Sequence, residues 1–148
     1  KLDASTVLVH IKYLVHLLGD MHCPTHVYYY PDNMTLGKFP VKLHGVETNY
    51  HKIWDGQLLD SRHKFWGFQD YRHALDNYTD EEIARMTEGT PVEWFEESAR
   101  RCREIYDWVQ PGDELGQEFY NAHAPFAEYQ LVLSGYRLAK VLNALFDR

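Results

Sequence analysis

The sequence predicts an all-α helical bundle. Apolar residues recur at helical spacing in several separate stretches. Two capping boxes mark helix starts, and short apolar spacings between turn signals favour packed helices over a sheet. The first helix runs from about Ser5 to Met21, with Leu8, Ile11, Leu14, Val15 and Leu18 as its apolar stripe, and Pro24 bars its continuation. Residues 27–46 carry Pro31, Asp32, Asn33, Gly37, Pro40 and Gly45 and read as a loop, with at most a short hairpin around Phe39–Leu43. A second helix spans about Thr48 to Asp60 and offers Tyr50, Ile53, Trp54 and Leu58 for burial.

Thr79-Asp-Glu-Glu82 and Thr90-Pro-Val-Glu93 are the capping boxes. In each, the Thr hydroxyl and the Glu carboxylate satisfy amides that the first helical turn leaves without partners. Pro91 sits at the first helical position, where it removes no useful donor. That helix reaches about Val109 and stops before Pro111-Gly112. A last helical region begins near Leu115, is divided at Pro125 and ends near Phe146, with Leu131, Leu138, Val141, Leu142 and Leu145 as its buried stripe. Trp54, Trp94, Phe95, Tyr106 and Trp108 are expected in the core.

The 148 residues suit one domain with a real core. Apolar residues make up 45% and charged residues 25%, which excludes disorder. No stretch approaches the roughly 18 consecutive apolar residues of a membrane span. The net charge of −7 excludes a protein that grips nucleic acid mainly through Lys and Arg. If phosphates are handled, bound cations must supply the positive charge. Cys23 and Cys102 imply no disulfide scaffold and are compatible with one bridge or two free thiols. The chain opens at Lys1 rather than Met and closes at Arg148, and reads as a piece of a longer protein.

Nine His are the outlying count, and their placement points to metal. His16 and Asp20 are four apart on the first helix, so both lie on one face. His51 and Asp55 repeat the spacing on the second helix, and His26 follows the Pro24 break, where the chain turns back toward the helix end. Two ligands on one rigid turn lose little entropy on binding, and imidazole and carboxylate both suit zinc. A single such pair is commonly an ordinary hydrogen-bonded pair; two pairs plus His26 bring the metal reading level with that bland one. His10, His22, His44, His63, His73 and His123 have no ligand partner at a clean spacing and are assigned surface or core hydrogen-bonding roles. Tyr28, Tyr29 and Tyr30 are read as packing residues before base-stacking ones.

His16-Leu-Leu-Gly-Asp20-Met-His-Cys-Pro24-Thr-His26 and Asn49-Tyr-His51-Lys-Ile-Trp54-Asp55 resemble the zinc-dependent single-strand-specific nucleases of the fungal S-one and P-one type. The closing segment is similar as well: Glu128-Tyr-Gln130, then Gly135-Tyr-Arg137-Leu138-Ala139 and Leu142-Asn143. The resemblance extends over residues 1–148 but only over the second half of a family member, and it implies the helical phospholipase C/nuclease fold with three zinc ions. It implies that His16 and Asp20 bind one zinc, that Asp20 bridges to another, and that His26, His51 and Asp55 form a further site. The family's remaining ligands would lie in the absent first half, and the 148-residue piece alone is expected to lack activity. The family's Gly-Gly-Asn appears here as Leu36-Gly37-Lys38, and its Gln and Leu around Pro24 appear as Cys23 and Thr25.

The implied chemistry is hydrolysis of phosphodiesters in single-stranded DNA or RNA, giving 5′-mononucleotides, with 3′-nucleotidase activity and no protein nucleophile. Zinc lowers the pKa of water to about 7 and polarises the phosphoryl group. The resemblance also implies a secreted or periplasmic protein. Phospholipase C shares fold and ligands, but usually ends that helix's ligand set with Glu, not the Asp55 found here. A non-catalytic helical zinc-binding module is the remaining alternative.

Overall fold

The computed structural model describes residues 2–27 and 37–146; Tyr28, Tyr29, Tyr30 and Leu36 lie outside the described residues. The fold is all-α, with a small three-stranded sheet added to the helices. Helix α1 covers Ala4–Asp20. Asp3 caps it, accepting from the Thr6 amide at 2.9 Å and the Thr6 hydroxyl at 2.7 Å.

Strands β1 (Pro40–Leu43) and β2 (Val46–Asn49) form an antiparallel hairpin, with Pro40 opposite Asn49 and Leu43 opposite Val46. The hairpin turns through His44 at φ 48° and Gly45 at φ 79°. Two successive left-handed residues match the right-handed twist of the flanking strands. A two-residue strand β3 (Glu114–Leu115) adds parallel to the other edge of β1. The sequence reading extends only to a hairpin here, because strands of two to four residues carry too little alternation to register.

The second helix is a composite. Helix α2 (Tyr50–Lys52) passes through a π-helical stretch, Ile53–Gln57, into α3 (Leu58–His63). Asn49 caps it, accepting from the Lys52 amide at 3.0 Å, so it starts two residues later and ends three residues later than expected. Helix α4 (Phe68–Leu75) has no counterpart in the sequence reading. It buries no residue, and its start is marked only by the Gly67 amide donating to Asp70 at 2.8 Å. Helices α5 (Asp80–Met86) and α6 (Pro91–Arg103) begin at the two expected capping boxes. A 3₁₀ turn, Glu104–Asp107, follows α6.

Helix α7 runs unbroken over Gln117–Phe146, so Pro125 does not divide it. The carbonyl that Pro125 leaves without an amide partner belongs to Asn121, and both residues are exposed. Tyr120, Ala124, Ala127 and Gln130 are buried on either side of Pro125 and hold the helix to the core. The stripe itself differs from expectation. Leu131 and Leu145 are exposed and Leu138, Val141 and Leu142 only partly covered, whereas Gln130, Leu133 and Arg137 are buried. Polar residues occupy the inner face because each finds a partner there: Gln130 donates to the His22 carbonyl at 3.1 Å, and Arg137 to the Met86 carbonyl at 3.0 Å.

The main core lies beneath the composite helix. Val41, Leu43, Tyr50, Ile53, Trp54, Leu58, Ile105 and Tyr120 are among its buried residues, with Tyr106 and Trp108 packed against it. Trp94 is buried elsewhere, beneath Arg137, but Phe95 is exposed, one position round the helix from Trp94's inward face. A smaller cluster of Met86, Val132 and Leu133 joins α5 to α7. Of the apolar stripe on α1 only Leu18 is fully buried; Ile11 and Leu14 are partly covered, and Leu8 and Val15 are exposed.

Candidate metal centre

The end of α1 is a tight descent. His22 N–H donates to the Gly19 carbonyl, Cys23 N–H to Asp20 and His26 N–H to Cys23, each at 3.0 Å. Bonds spanning three residues stack side chains at every third position. Asp20 and His26 are thereby brought to the same side. On the facing element, the core fixes His51 and Asp55: Tyr50, Ile53 and Trp54 between and beside them are buried. A π-helical turn at such a place is common near functional sites.

The five candidate residues converge. His16 Nε2 lies 3.3 Å from Asp20 Oδ2, and Asp20 Oδ1 lies 3.4 Å from His26 Nδ1. His26 Nε2 lies 3.4 Å from Asp55 Oδ1. The His51 ring stacks on His26 at 5.0 Å between centroids. His16 and Asp55 are more than half exposed while His26 is mostly covered, so the cluster forms a patch open to solvent on one side.

Two contacts fix the floor. The His51 amide donates to the Gly37 carbonyl at 2.8 Å, and the buried Thr25 hydroxyl donates to the His51 carbonyl at 3.4 Å. Gly37 has φ +70°, and a Cβ there would meet Thr25 Cγ2 at 3.3 Å and His51 N at 3.4 Å. A side chain at this position would therefore be both strained and crowded.

The other His residues have different work. His22 is buried; its Nδ1 lies 2.8 Å from the Leu18 carbonyl and its Nε2 3.0 Å from Arg137 Nη1. An Nδ1 that donates to Leu18 leaves Nε2 to accept from the guanidinium, so the ring is neutral. Burial lowers its pKa, and the Arg137 charge adds to that against the pull of the Leu18 bond. Arg137 also pairs with Glu97. The His of the first motif and the Arg of the last are thus two halves of one buried lock that ties the end of α1 to α7. His63 is buried against Glu128 at 3.5 Å and stacks on Trp66, and His123 stacks on Trp108. His10, His44 and His73 are exposed.

One residue that the sequence reading does not single out stands inside the cluster. Cys23 Sγ, a ring nitrogen of His26 and a carboxylate oxygen of Asp55 all lie within 4.8 Å of one another. Cys23 and Cys102 are both free thiols. Burial raises the pKa of Cys23, and burial pushes Cys102 up to about 12. The available signal for Cys23 was its spacing, three after Asp20 and three before His26.

The family model described as S1/P1 Nuclease matches residues 2–147. The chain belongs to the S1/P1 nuclease family. Endonuclease 4 of Arabidopsis thaliana is 26% identical to this S1/P1 member over 98% of the chain and 55% of the relative. Endonuclease 2 of the same plant is 27% identical over 92% of the chain and 51% of the relative. Nuclease S1 of Aspergillus oryzae is 26% identical over 97% of the chain and 56% of its own length. This S1/P1 chain thus spans about half the length of the curated relatives it matches.

Proposed function

We propose that the protein hydrolyses phosphodiester bonds of single-stranded DNA or RNA in a zinc-dependent reaction, releasing 5′-mononucleotides, with 3′-nucleotidase activity as its second face. The convergence of His16, Asp20, His26, His51 and Asp55 carries this reading. The donor set fits zinc, being imidazole nitrogen and carboxylate oxygen. His26 Nδ1 gives a second sign of fit. It is buried and makes no hydrogen bond among the described residues, since Asp20 at 3.4 Å is out of line. A buried polar atom without a partner is costly unless something binds it.

In this reading His16 and Asp20 would hold one ion, Asp20 would also serve a second, and His26, His51 and Asp55 would hold another. Bound zinc supplies Lewis acidity to a phosphoryl oxygen and acidifies water to a pKa of about 7. The chain's own residues position and admit. The core beneath Trp54 fixes one pair of donors and the His22–Arg137 lock fixes the turn that carries the others. The open side beside His16 and Asp55 admits a polyanion, and cations there reconcile that substrate with a net charge of −7. The names of the relatives, endonucleases and a nuclease, support nucleic acid as substrate.

Residues 1–148 read here as the C-terminal half of one zinc nuclease domain. Leu8, Val9, Tyr13, Val15 and Leu17 of α1 are large, apolar and exposed, as expected of a helix that packs on further chain corresponding to the relatives' uncovered length. That portion would supply the remaining ligands, and without it activity is expected to be absent. Secretion or a periplasmic location completes the proposal. Among the described residues no helix is long and apolar enough to cross a membrane.

Metal analysis of the whole protein should find three zinc ions per chain, and single-stranded DNA should be cut while phosphatidylcholine is left intact. His51→Ala should lower phosphodiesterase turnover by more than ~100-fold, beyond the loss caused by removing a residue that merely orients a ligand. Unchanged turnover in that variant, or a folded protein that takes up no zinc, would refute the proposal.

A further inference from the structure

We infer that Cys23 is an additional metal ligand, its thiolate binding the ion held by His26 and Asp55. The inference rests on the metal reading above and adds to it a donor outside the five proposed ligands.

Three observations support it. The first is backbone geometry. Successive three-residue turns, Cys23 N–H to Asp20 O and His26 N–H to Cys23 O, set Asp20, Cys23 and His26 on one side of the descending chain. The cysteine is therefore placed between two candidate ligands by the same turns that place them. The second is distance. Sγ, the His26 nitrogen and the Asp55 oxygen lie within 4.8 Å of one another. A tetrahedral zinc with bonds of about 2.0 to 2.3 Å holds its ligand atoms about 3.4 to 3.8 Å apart. The third is the surroundings of the sulfur. Its polar neighbours, the Thr25 hydroxyl and the Trp54 carbonyl, are both at 3.7 Å, so it has only weak interactions to give up.

As the sulfur–zinc bond forms, the thiol proton leaves to solvent, so metal uptake releases one more proton than His and Asp alone would. The consequence is twofold. A soft thiolate donor selects zinc or cobalt over magnesium, calcium or manganese. With His26, His51 and Asp55, Cys23 would bring the protein donors offered to this ion to four.

Cobalt(II) titration of the whole protein tests this directly. The visible ligand-field bands report that cobalt is bound at all, and a near-ultraviolet sulfur-to-cobalt charge-transfer band reports a thiolate ligand. The inference predicts both in the parent chain, and loss of the charge-transfer band alone in Cys23→Ser, with helical circular dichroism unchanged. Visible bands without the charge-transfer band in the parent, or a band that survives in Cys23→Ser, overturns the inference and leaves the metal centre standing. No bands of either kind in a folded chain overturns both. Alkylation by iodoacetamide gives an independent readout by peptide mass. Zinc should slow modification of Cys23 at least tenfold while the reaction of Cys102, which is fully buried, is unchanged. Equal labelling of Cys23 with and without zinc counts against the ligand.

Discussion

The two His-x-x-x-Asp pairs look alike in sequence and stand on unlike supports. His51 and Asp55 flank a π-helical turn whose intervening Ile53 and Trp54 are buried in the main core. His16 and Asp20 end a regular helix that buries Leu18 alone and leaves Leu17 and Val15 exposed. The first pair inherits its geometry from packing. The second inherits it from a polar tether: His22 bonded to Leu18 and Arg137, Gln130 bonded to the His22 carbonyl, and Ser134 bonded to the Leu18 carbonyl at 3.4 Å. One spacing thus yields one rigid half-site and one that depends on a small buried network.

The contrast is broken most severely by Trp54→Ala. Trp54 packs against Tyr50, Trp108, Phe119 and Phe126, so its removal should cost about 3–5 kcal/mol in urea unfolding and weaken the His51–Asp55 half-site with it. Arg137→Met tests the tether. It leaves the buried His22 without its guanidinium partner and the partly exposed Glu97 with Arg101 alone, and a loss of about 2 kcal/mol is expected. A loss below about 1 kcal/mol, typical of an exposed pair, would show that the network does not hold α1.

A smaller effect is set by pH. The unfolded chain protonates His22 near pH 6.5, whereas the folded chain, with its lowered pKa, does so only at lower pH. The stability contributed by neutral His22 is full above about pH 6.5 and drains as pH falls below it. His22→Gln, which cannot gain that proton, should flatten this part of a stability-against-pH curve. The smallest effect belongs to the exposed side of α1. Leu17→Ala should change the stability of this chain by less than about 0.5 kcal/mol, checked by thermal melting, because that side chain is largely exposed among the described residues.

What could be read in the sequence was what local chemistry dictates. Thr79 and Thr90 cap their helices as their capping boxes require, and Trp54 is in the core. The convergence of the five candidate side chains followed from spacing and one proline turn. The rest depended on tertiary partners. Gln130 and Arg137 stand outside the apolar stripe read for the last helix, and their burial is explained only when His22, Met86 and Glu97 are seen to satisfy them. Pro125 reads as a break because the sequence does not show that Tyr120, Ala124 and Ala127 hold the helix to the core on both sides of it. The hairpin turn at His44-Gly45 lacks the usual Asn or Asp, and Cys23 gains meaning only when Asp55 is placed beside it.

The central claim is that these side chains form one metal centre. Crystals equilibrated with zinc and measured above and below the zinc absorption edge test it most directly. The account predicts an anomalous peak within about 2.0–2.2 Å of a His26 ring nitrogen and an Asp55 oxygen, with a second peak between His16 and Asp20. Zinc peaks confined to His10, His44 or His73 on the surface, with the cluster empty, would contradict it.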